Sequence, residues 1–173
     1  MIQKIKIETP RLVLTPIDYN FTQDIFSNFT SEITHYMCPS PALNITETKN
    51  FIRKSMEKME KGEELVFAIL SKLSREFLGC TGIHKINTRT PELGIWLKKE
   101  AHGNKYGQET IISIHKWANK KVDFEYLIYP VDKNNVSSRK IPELLKGKIN
   151  KEYKQKNMSD KTLNLIEYNI YKI

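Results

Sequence analysis

Hydrophobic positions change their spacing several times along the chain, and each change marks an element. Over 6–16 (KIETPRLVLTP) Leu12 and Leu14 fall on one side and Val13 on the other, the two-residue period of a first strand. Pro10 suits its beginning and Pro16 its end, where a missing ladder donor does no harm. Phe21, Ile25, Phe26 and Phe29 then recur at helical spacing, with Asp18 or Asn20 to cap a short helix over 21–29. The stretch THYMCPSPALN is too rich in turn residues to be regular. A second helix is predicted from Ile45 or Thr46 to about Lys61, with Phe51, Ile52, Met56 and Met59 along one stripe. Asn44 followed by Glu47 is its capping signature, Glu57 and Lys61 make a helix-spaced ion pair, and Gly62 ends it.

Three apolar runs on short turns follow, over 64–70, 77–86 and 92–98, and predict an antiparallel meander. Gly79 and Gly82 in the second suggest a bulge or close packing by another element. Helical spacing returns over Tyr106–Lys121, burying Ile111, Ile114, His115 and Ala118. A strand over 124–129 leads to a short helix capped by Asn134 or Asn135, with Pro142 bending it. A weakly alternating piece over 149–153, a polar turn and a closing strand over 163–171 complete a mixed α+β order of about seven strands and four helices.

Composition narrows the classes. At 173 residues, 39% apolar and 28% charged, the chain reads as one globular domain over 1–173 with a real core. No window approaches a membrane span of roughly 18 apolar residues, and the N-terminal stretch lacks the pattern of a signal peptide. Cys38 and Cys80 sit in dissimilar contexts, which predicts two free thiols in a reducing cytoplasm. The net charge of +8 favours anionic ligands in general, but the lysines are scattered, so direct nucleic-acid binding is not expected. His35, His84, His102 and His115 form no metal motif and no metal is expected; His84 and His115 read as ordinary structural or surface residues. There is no Walker loop, dinucleotide fingerprint or nucleophile elbow.

The stretch that stands out is ELGIWLKKEAHGNKYGQE, from Glu92 to Glu109. A strand passes through a turn bearing Gly103 and Gly107 into a helix N-terminus, where unpaired N–H groups and the peptide dipoles favour an anion. One reading of His102 to Gly107 is a solvent loop and helix cap. The other is a phosphate-binding turn, with donors from Asn104 to Gln108 and the charge of Lys105.

Four stretches resemble the GCN5-related N-acetyltransferases, more narrowly the branch with the ribosomal-protein alanine and serine N-terminal acetyltransferases. They are TPRLVLTPID from Thr9, ELGIWL from Glu92, HGNKYGQET from His102 and NVSSRKIPELLKG from Asn135, in the family's order. The resemblance implies a layered α/β/α acyl-CoA N-acyltransferase fold around a mixed, mostly antiparallel sheet. It makes His102, Gly103, Asn104, Lys105, Tyr106, Gly107 and Gln108 the pyrophosphate loop of acetyl-CoA, although the family has Gln or Arg at His102 and Gly at Lys105. Glu109 matches a recurrent acidic residue with a structural role.

The resemblance further implies that Leu97 and Lys98 lie in the strand region whose backbone N–H polarises the thioester. Asn135 is expected to contact the pantetheine arm, Ser138 to lie near the thiol and reprotonate it, and Arg139 and Lys140 to reach nucleotide phosphates. Helix capping by Asn135, an ordinary first-turn role for Ser138 and an ordinary basic helix face for Arg139 and Lys140 are the alternatives. Glu92, at the strand start, is the first choice for general base. Tyr36 and Glu47 are candidates for contact with the acceptor, against a core tyrosine and a cap glutamate. The expected function is transfer of acetyl from acetyl-CoA, with CoA as product, to a primary amine of a small molecule or protein N-terminus in a ternary complex. The alternative is a catalytically degenerate acyl-CoA-binding or regulatory protein, and either is expected as a monomer or homodimer.

Overall fold

One continuous sheet organises the chain, and a computed structural model describes it over residues 5–172. The predicted first strand divides in two: β1 (Ile7–Glu8) and β2 (Leu12–Pro16) pair with each other antiparallel. The intervening turn is closed by Thr9, whose amide donates to the Leu12 carbonyl while its hydroxyl oxygen accepts the Leu12 amide. This division raises the expected seven strands to eight. The others are β3 (Glu64–Ser71), β4 (Phe77–His84), β5 (Glu92–Leu97), β6 (Tyr126–Asp132), β7 (Lys148–Lys156) and β8 (Thr162–Tyr171). Their order across the sheet is β1-β2-β3-β4-β5-β6-β8-β7, and every neighbouring pair is antiparallel except β5 and β6.

Four α-helices cover the sheet: α1 (Thr22–Asn28), α2 (Ile45–Glu60), α3 (Tyr106–Lys121) and α4 (Val136–Leu144). Successive residues of β5 separate the layers. Trp96 stacks on Phe29, just past α1, at 4.9 Å between ring centroids. Ile95 and Leu97 point the opposite way, beneath Gly107 of α3. Helices α1 and α2 thus occupy one face, and α3 with α4 the other. The core between them includes Leu12, Leu14, Phe67, Ile69, Ile83, Ile111, Ile114 and Leu127, all fully buried.

Local signals placed most helix ends. Asn44 Oδ1 accepts the Glu47 amide at 3.1 Å, and Glu47 Oε2 returns to the Leu43 amide at 2.9 Å. On α2, Ile52 and Met59 are buried but Phe51 is exposed, while Thr48 and Ser55 take up the inward face. The expected Glu57–Lys61 pair does not form. Lys61 is the C-cap, and Glu57 pairs with Arg53 one turn earlier instead. Gly79, at φ +155°, adjoins the bulge of β4, where Leu78 falls between the Ile69–Gly79 and Leu70–Phe77 pairs, and a Cβ there would run into the Trp96 carbonyl. Cys38 and Cys80 are free thiols, as expected.

His115 is buried on α3, with Nε2 donating to the Tyr171 carbonyl at 2.9 Å. Burial holds its imidazole below the ordinary value of 6.5, against the opposing effect of that hydrogen bond. The unfolded chain therefore takes up this proton more readily than the folded one. His115 contributes full stability above pH 6.5, and that contribution is lost as pH falls toward the lower folded value. Urea unfolding from pH 7.5 to 5.5 is expected to show this loss, and His115→Gln to flatten it.

Candidate active site

The parallel junction of β5 and β6 consists of one registered pair, Glu92 with Ile128, supported by the Ile128 amide donating to the Pro91 carbonyl at 2.8 Å. Beyond it the strands part. On its other edge β5 pairs with β4 along its whole length. The Lys98 amide donates to the Leu78 carbonyl at 2.8 Å, so with two-residue alternation Gly94 and Trp96 also face β4. The amides of Ile95 and Leu97 therefore face the split, where no strand takes them. Lys98 is corrected as a donor in this region: its amide is held by β4, and its ammonium pairs with Glu76 at 2.6 Å.

The turn into α3 lies at the far end of this split. Lys99–Ala101 forms a 3-10 turn, and His102 donates from Nε2 to the Leu97 carbonyl at 2.9 Å. Gly103 and Lys105 both adopt left-handed backbone, at φ +78° and +60°. Asn104 closes the turn by donating to the carbonyls of Ala101 and His102. The first amide to bond back along α3 is that of Glu109, to the Lys105 carbonyl. The amides of Tyr106, Gly107 and Gln108 are left directed out of the helix end. Gly107 serves packing rather than ligand approach: a Cβ there would stand 3.3 Å from Ile141 Cδ1 and 3.8 Å from Leu97 Cδ1.

Arg11, at the start of β2, is the guanidinium of this turn. It donates to the Asn104 carbonyl at 3.1 Å and lies 4.7 Å over the Tyr106 ring. Glu109 holds it through Nε and Nη2, each at 2.7 Å, and accepts the Arg11 amide and the Thr9 hydroxyl as well. Burial raises the Glu109 pKa, but these bonds and the Arg11 charge outweigh it and hold the carboxyl below the usual range. Arg11 stands in the quoted TPRLVLTPID stretch, yet its partner lies 98 residues away, so only the fold reveals the pairing.

On β6, Tyr129 and Ser138 of α4 share a hydroxyl–hydroxyl hydrogen bond of 2.8 Å. Burial pushes the Tyr129 phenol up to about 12 even though the Ser138 bond lowers it, so it stays a neutral donor. Asn135 caps α4, its Oδ1 accepting the Ser138 amide at 3.2 Å. Arg139 is not placed as a free phosphate ligand. Its donors go to Tyr168, at 3.4 Å, and to the Lys133 carbonyl, at 3.3 Å, with Glu143 3.5 Å away.

The acceptor candidates separate. The Glu47 carboxylate belongs to the α2 capping box. Tyr36 belongs to a 3-10 turn, Ile33–Tyr36, bound to the β7–β8 hairpin: Lys161 lies over its ring and donates to the His35 carbonyl at 2.9 Å. Cys38 continues this seam, receiving Gln155 Nε2 at 3.3 Å. Burial and then the charge of Glu92 raise the Cys38 thiol. Burial followed by Glu167, Glu92 and Cys38 raises the Tyr153 phenol. Glu92, whose pairing with Ile128 closes the split, has Lys85 Nζ 3.6 Å away. Among the described residues, no group of three or more His, Cys, Asp or Glu side chains is placed to hold a metal ion. No described helix is long and apolar enough to cross a membrane.

The sequence over residues 11–147 matches the acetyltransferase (GNAT) domain family. The chain belongs to that family. A comparison with curated protein sequences gave no match. Among solved structures, the fold is similar to the ribosomal α-N-protein acetyltransferase RimL in complex with coenzyme A. The TM-score is 0.86 at 13% identity, over 96% of this chain and 98% of that one. It is also similar to the microcin C7 self-immunity acetyltransferase MccE in complex with acetyl-CoA and AMP, with a TM-score of 0.84 at 15% identity over 94% and 93%. A GNAT-family acetyltransferase from Bacillus anthracis gives 0.82 at 16%, over 97% and 99%. At these identities the likeness is one of fold, and it confirms the expected layered GNAT architecture.

Lys105 has left-handed backbone, φ +60°, at a position where the resemblance leads one to expect glycine. A Cβ in this conformation costs on the order of 1 kcal/mol. Lys105→Gly is expected to raise the melting temperature by about 2–4 °C, measured by calorimetry.

Proposed function

We propose that the chain, as one catalytic unit over 1–173, transfers the acetyl group of acetyl-CoA to a primary amine by direct attack in a ternary complex. The observation that carries this reading is the β5–β6 split, with the Ile95 and Leu97 amides facing it and the α3 amides at its far end. The pyrophosphate of acetyl-CoA lies against the amides of Tyr106, Gly107 and Gln108, with Arg11 and Lys105 adding positive charge. The turn residues His102, Gly103 and Asn104 shape the backbone around it. The pantetheine arm passes between the parted strands beside Asn135, whose amide nitrogen remains available when Oδ1 caps α4. This placement supports acetyl-CoA as cofactor, as do the cofactors named for RimL and MccE.

The thioester carbonyl meets the Ile95 and Leu97 amides, fixed donors aimed where negative charge develops during attack. The departing thiolate meets the Ser138–Tyr129 hydroxyl pair, which supplies its proton. Glu92 stands where the split closes, and its charge is felt at Tyr153 and Cys38. Its carboxylate draws the acceptor ammonium and gives one route, directly or through water, for its proton to leave. The acceptor enters from the side of Tyr36 and the β7–β8 hairpin, and is a small-molecule amine or a protein N-terminus.

Calorimetric titration with acetyl-CoA is expected to give saturable one-site binding, weakened at least tenfold by Gly107→Leu and little changed by Glu92→Gln. A thiol-release assay over a panel of amines and N-terminal peptides is expected to identify acceptors. No binding of acetyl-CoA would overturn the reading. Binding without thiol release over the panel would favour a cofactor-binding protein that does not catalyse. In an active protein, Ser138→Ala together with Tyr129→Phe is expected to lower kcat by at least tenfold at unchanged acetyl-CoA affinity.

A further inference from the structure

On the α1/α2 face, directly beside the platform strand, a carboxylate and an imidazole form a hydrogen-bonded pair. Glu64 opens β3, His84 closes β4 and Glu92 opens β5; each is registered opposite the next, so all three side chains share one face. The Glu64 side chain is 7% exposed, with Oε2 3.1 Å from His84 Nδ1 and 3.5 Å from Lys58 Nζ of α2. Burial raises its pKa, but hydrogen bonds from His84 and Ser55 and the nearby positive charge of Lys58 prevail and hold it below the usual carboxylate range. An ionised carboxylate only accepts, so Nδ1 carries the hydrogen and Nε2 of a neutral ring carries the lone pair.

The position of that nitrogen is unusual. The ring lies along the sheet over Gly82 and Gly94, a registered pair of residues without side chains. A Cβ on Gly82 would stand 2.9 Å from Nε2, and one on Gly94 3.5 Å from it. Gly94 immediately precedes Ile95, whose amide faces the split. The His84 side chain is 40% exposed, so it is neither a core filler nor a solvated surface residue. The bare backbone of two glycines lets it reach along the strand that carries the thioester donors. Other charged groups around it are Lys58 from α2, Lys85 and Glu92 at the strand ends, and Glu64 beneath. The charge of Glu92 is also felt at Cys38 and Tyr153.

We propose that His84 is the general base for the acceptor amine, with Glu64 as its positioning residue and Glu92 holding the ammonium. The proposal rests on reading the β5–β6 split as the thioester slot. One proton passes from the acceptor ammonium to His84 Nε2, and the Glu64 carboxylate stabilises the resulting imidazolium. The neutral nitrogen forms its bond to the thioester carbonyl carbon, and the carbon–sulfur bond breaks with its electron pair on sulfur. The nitrogen gives up a second proton, the thiolate gains one through the Ser138–Tyr129 pair, and His84 releases its own to solvent. The sum is ammonium plus thioester giving amide, thiol and one free proton. Glu92 is less suited to take the proton because Lys85 shares its charge.

The test begins with nitrogen-15 NMR of the imidazoles in the full chain at neutral pH. The Nδ1–H tautomer is expected for His84, and its loss in Glu64→Gln; an Nε2–H tautomer in the unmodified protein would overturn the proposal. Acetyl-CoA titration of His84→Gln is expected to give the same affinity as the unmodified protein. Absence of binding in both would instead remove the thioester-slot reading beneath it. With alaninamide as the probe amine, His84→Gln is expected to lower kcat by about 100-fold and to abolish the acidic limb of the pH–rate profile. Gly82→Ala, which displaces the ring while removing no titratable group, is expected to lower kcat as well. Retention of the alaninamide rate and of the acidic limb in His84→Gln would overturn the assignment.

Discussion

The structure depends on a break in its own sheet. Among the described residues, strands β5 and β6 are the only parallel neighbours, and they hold together at one residue pair, Glu92 with Ile128. An antiparallel ladder at this point would have consumed the amides of β5 on both edges. Instead β4 takes every second amide, and those of Ile95 and Leu97 face an opening. Donors fixed in a sheet need no reorganisation when charge develops on a carbonyl oxygen, which is the condition for electrostatic stabilisation of an acyl-transfer transition state. The same divergence leaves room for the turn into α3 at one end of the gap and for Tyr129 and Ser138 along its wall.

Maintaining such a gap requires support from outside it. Gly107 lets α3 settle onto Leu97 and Ile141, while Glu109 gathers Thr9 and Arg11 around the helix start. The result connects the β1–β2 turn to the N-terminal end of α3. On the opposite side, the β7–β8 hairpin is joined through Lys161 to the Ile33–Tyr36 turn and through Asn157 and Gln155 to Met37 and Cys38 just after it. Acceptor and cofactor would therefore approach from opposite layers, with the proton-handling groups of β3, β4 and β5 on the acceptor side.

Much of this frame is legible in local sequence. The bounds of α3, the Asn44–Glu47 cap and the position of β5 follow from periodicity and capping chemistry that act within a few residues. What was not legible depends on partners far along the chain. The 6–16 run alternates well enough to read as one strand, and only the Thr9 turn, tied to Glu109, divides it. Ser138 was identified through family resemblance, but its partner Tyr129 lies on a different element in an apolar run that carries no mark of chemistry. His84 read as an ordinary strand histidine because its significance lies in Glu64 across the ladder and in two glycines that face each other. Leu97 and Lys98 read as equal candidates for the donor region because register, which turns the Lys98 amide to Leu78, is not a local property.

Residue-resolved amide hydrogen exchange, with and without acetyl-CoA, measures the central claim at the groups that define it. Added acetyl-CoA is expected to slow exchange at Ile95 and Leu97, together with Tyr106, Gly107 and Gln108, while Trp96, directed toward β4, changes little. Protection confined to another surface, such as the groove between α1 and α2 lined by Tyr19, Lys49 and Arg53, would contradict it. So would binding that leaves Ile95 and Leu97 exchanging at their original rates.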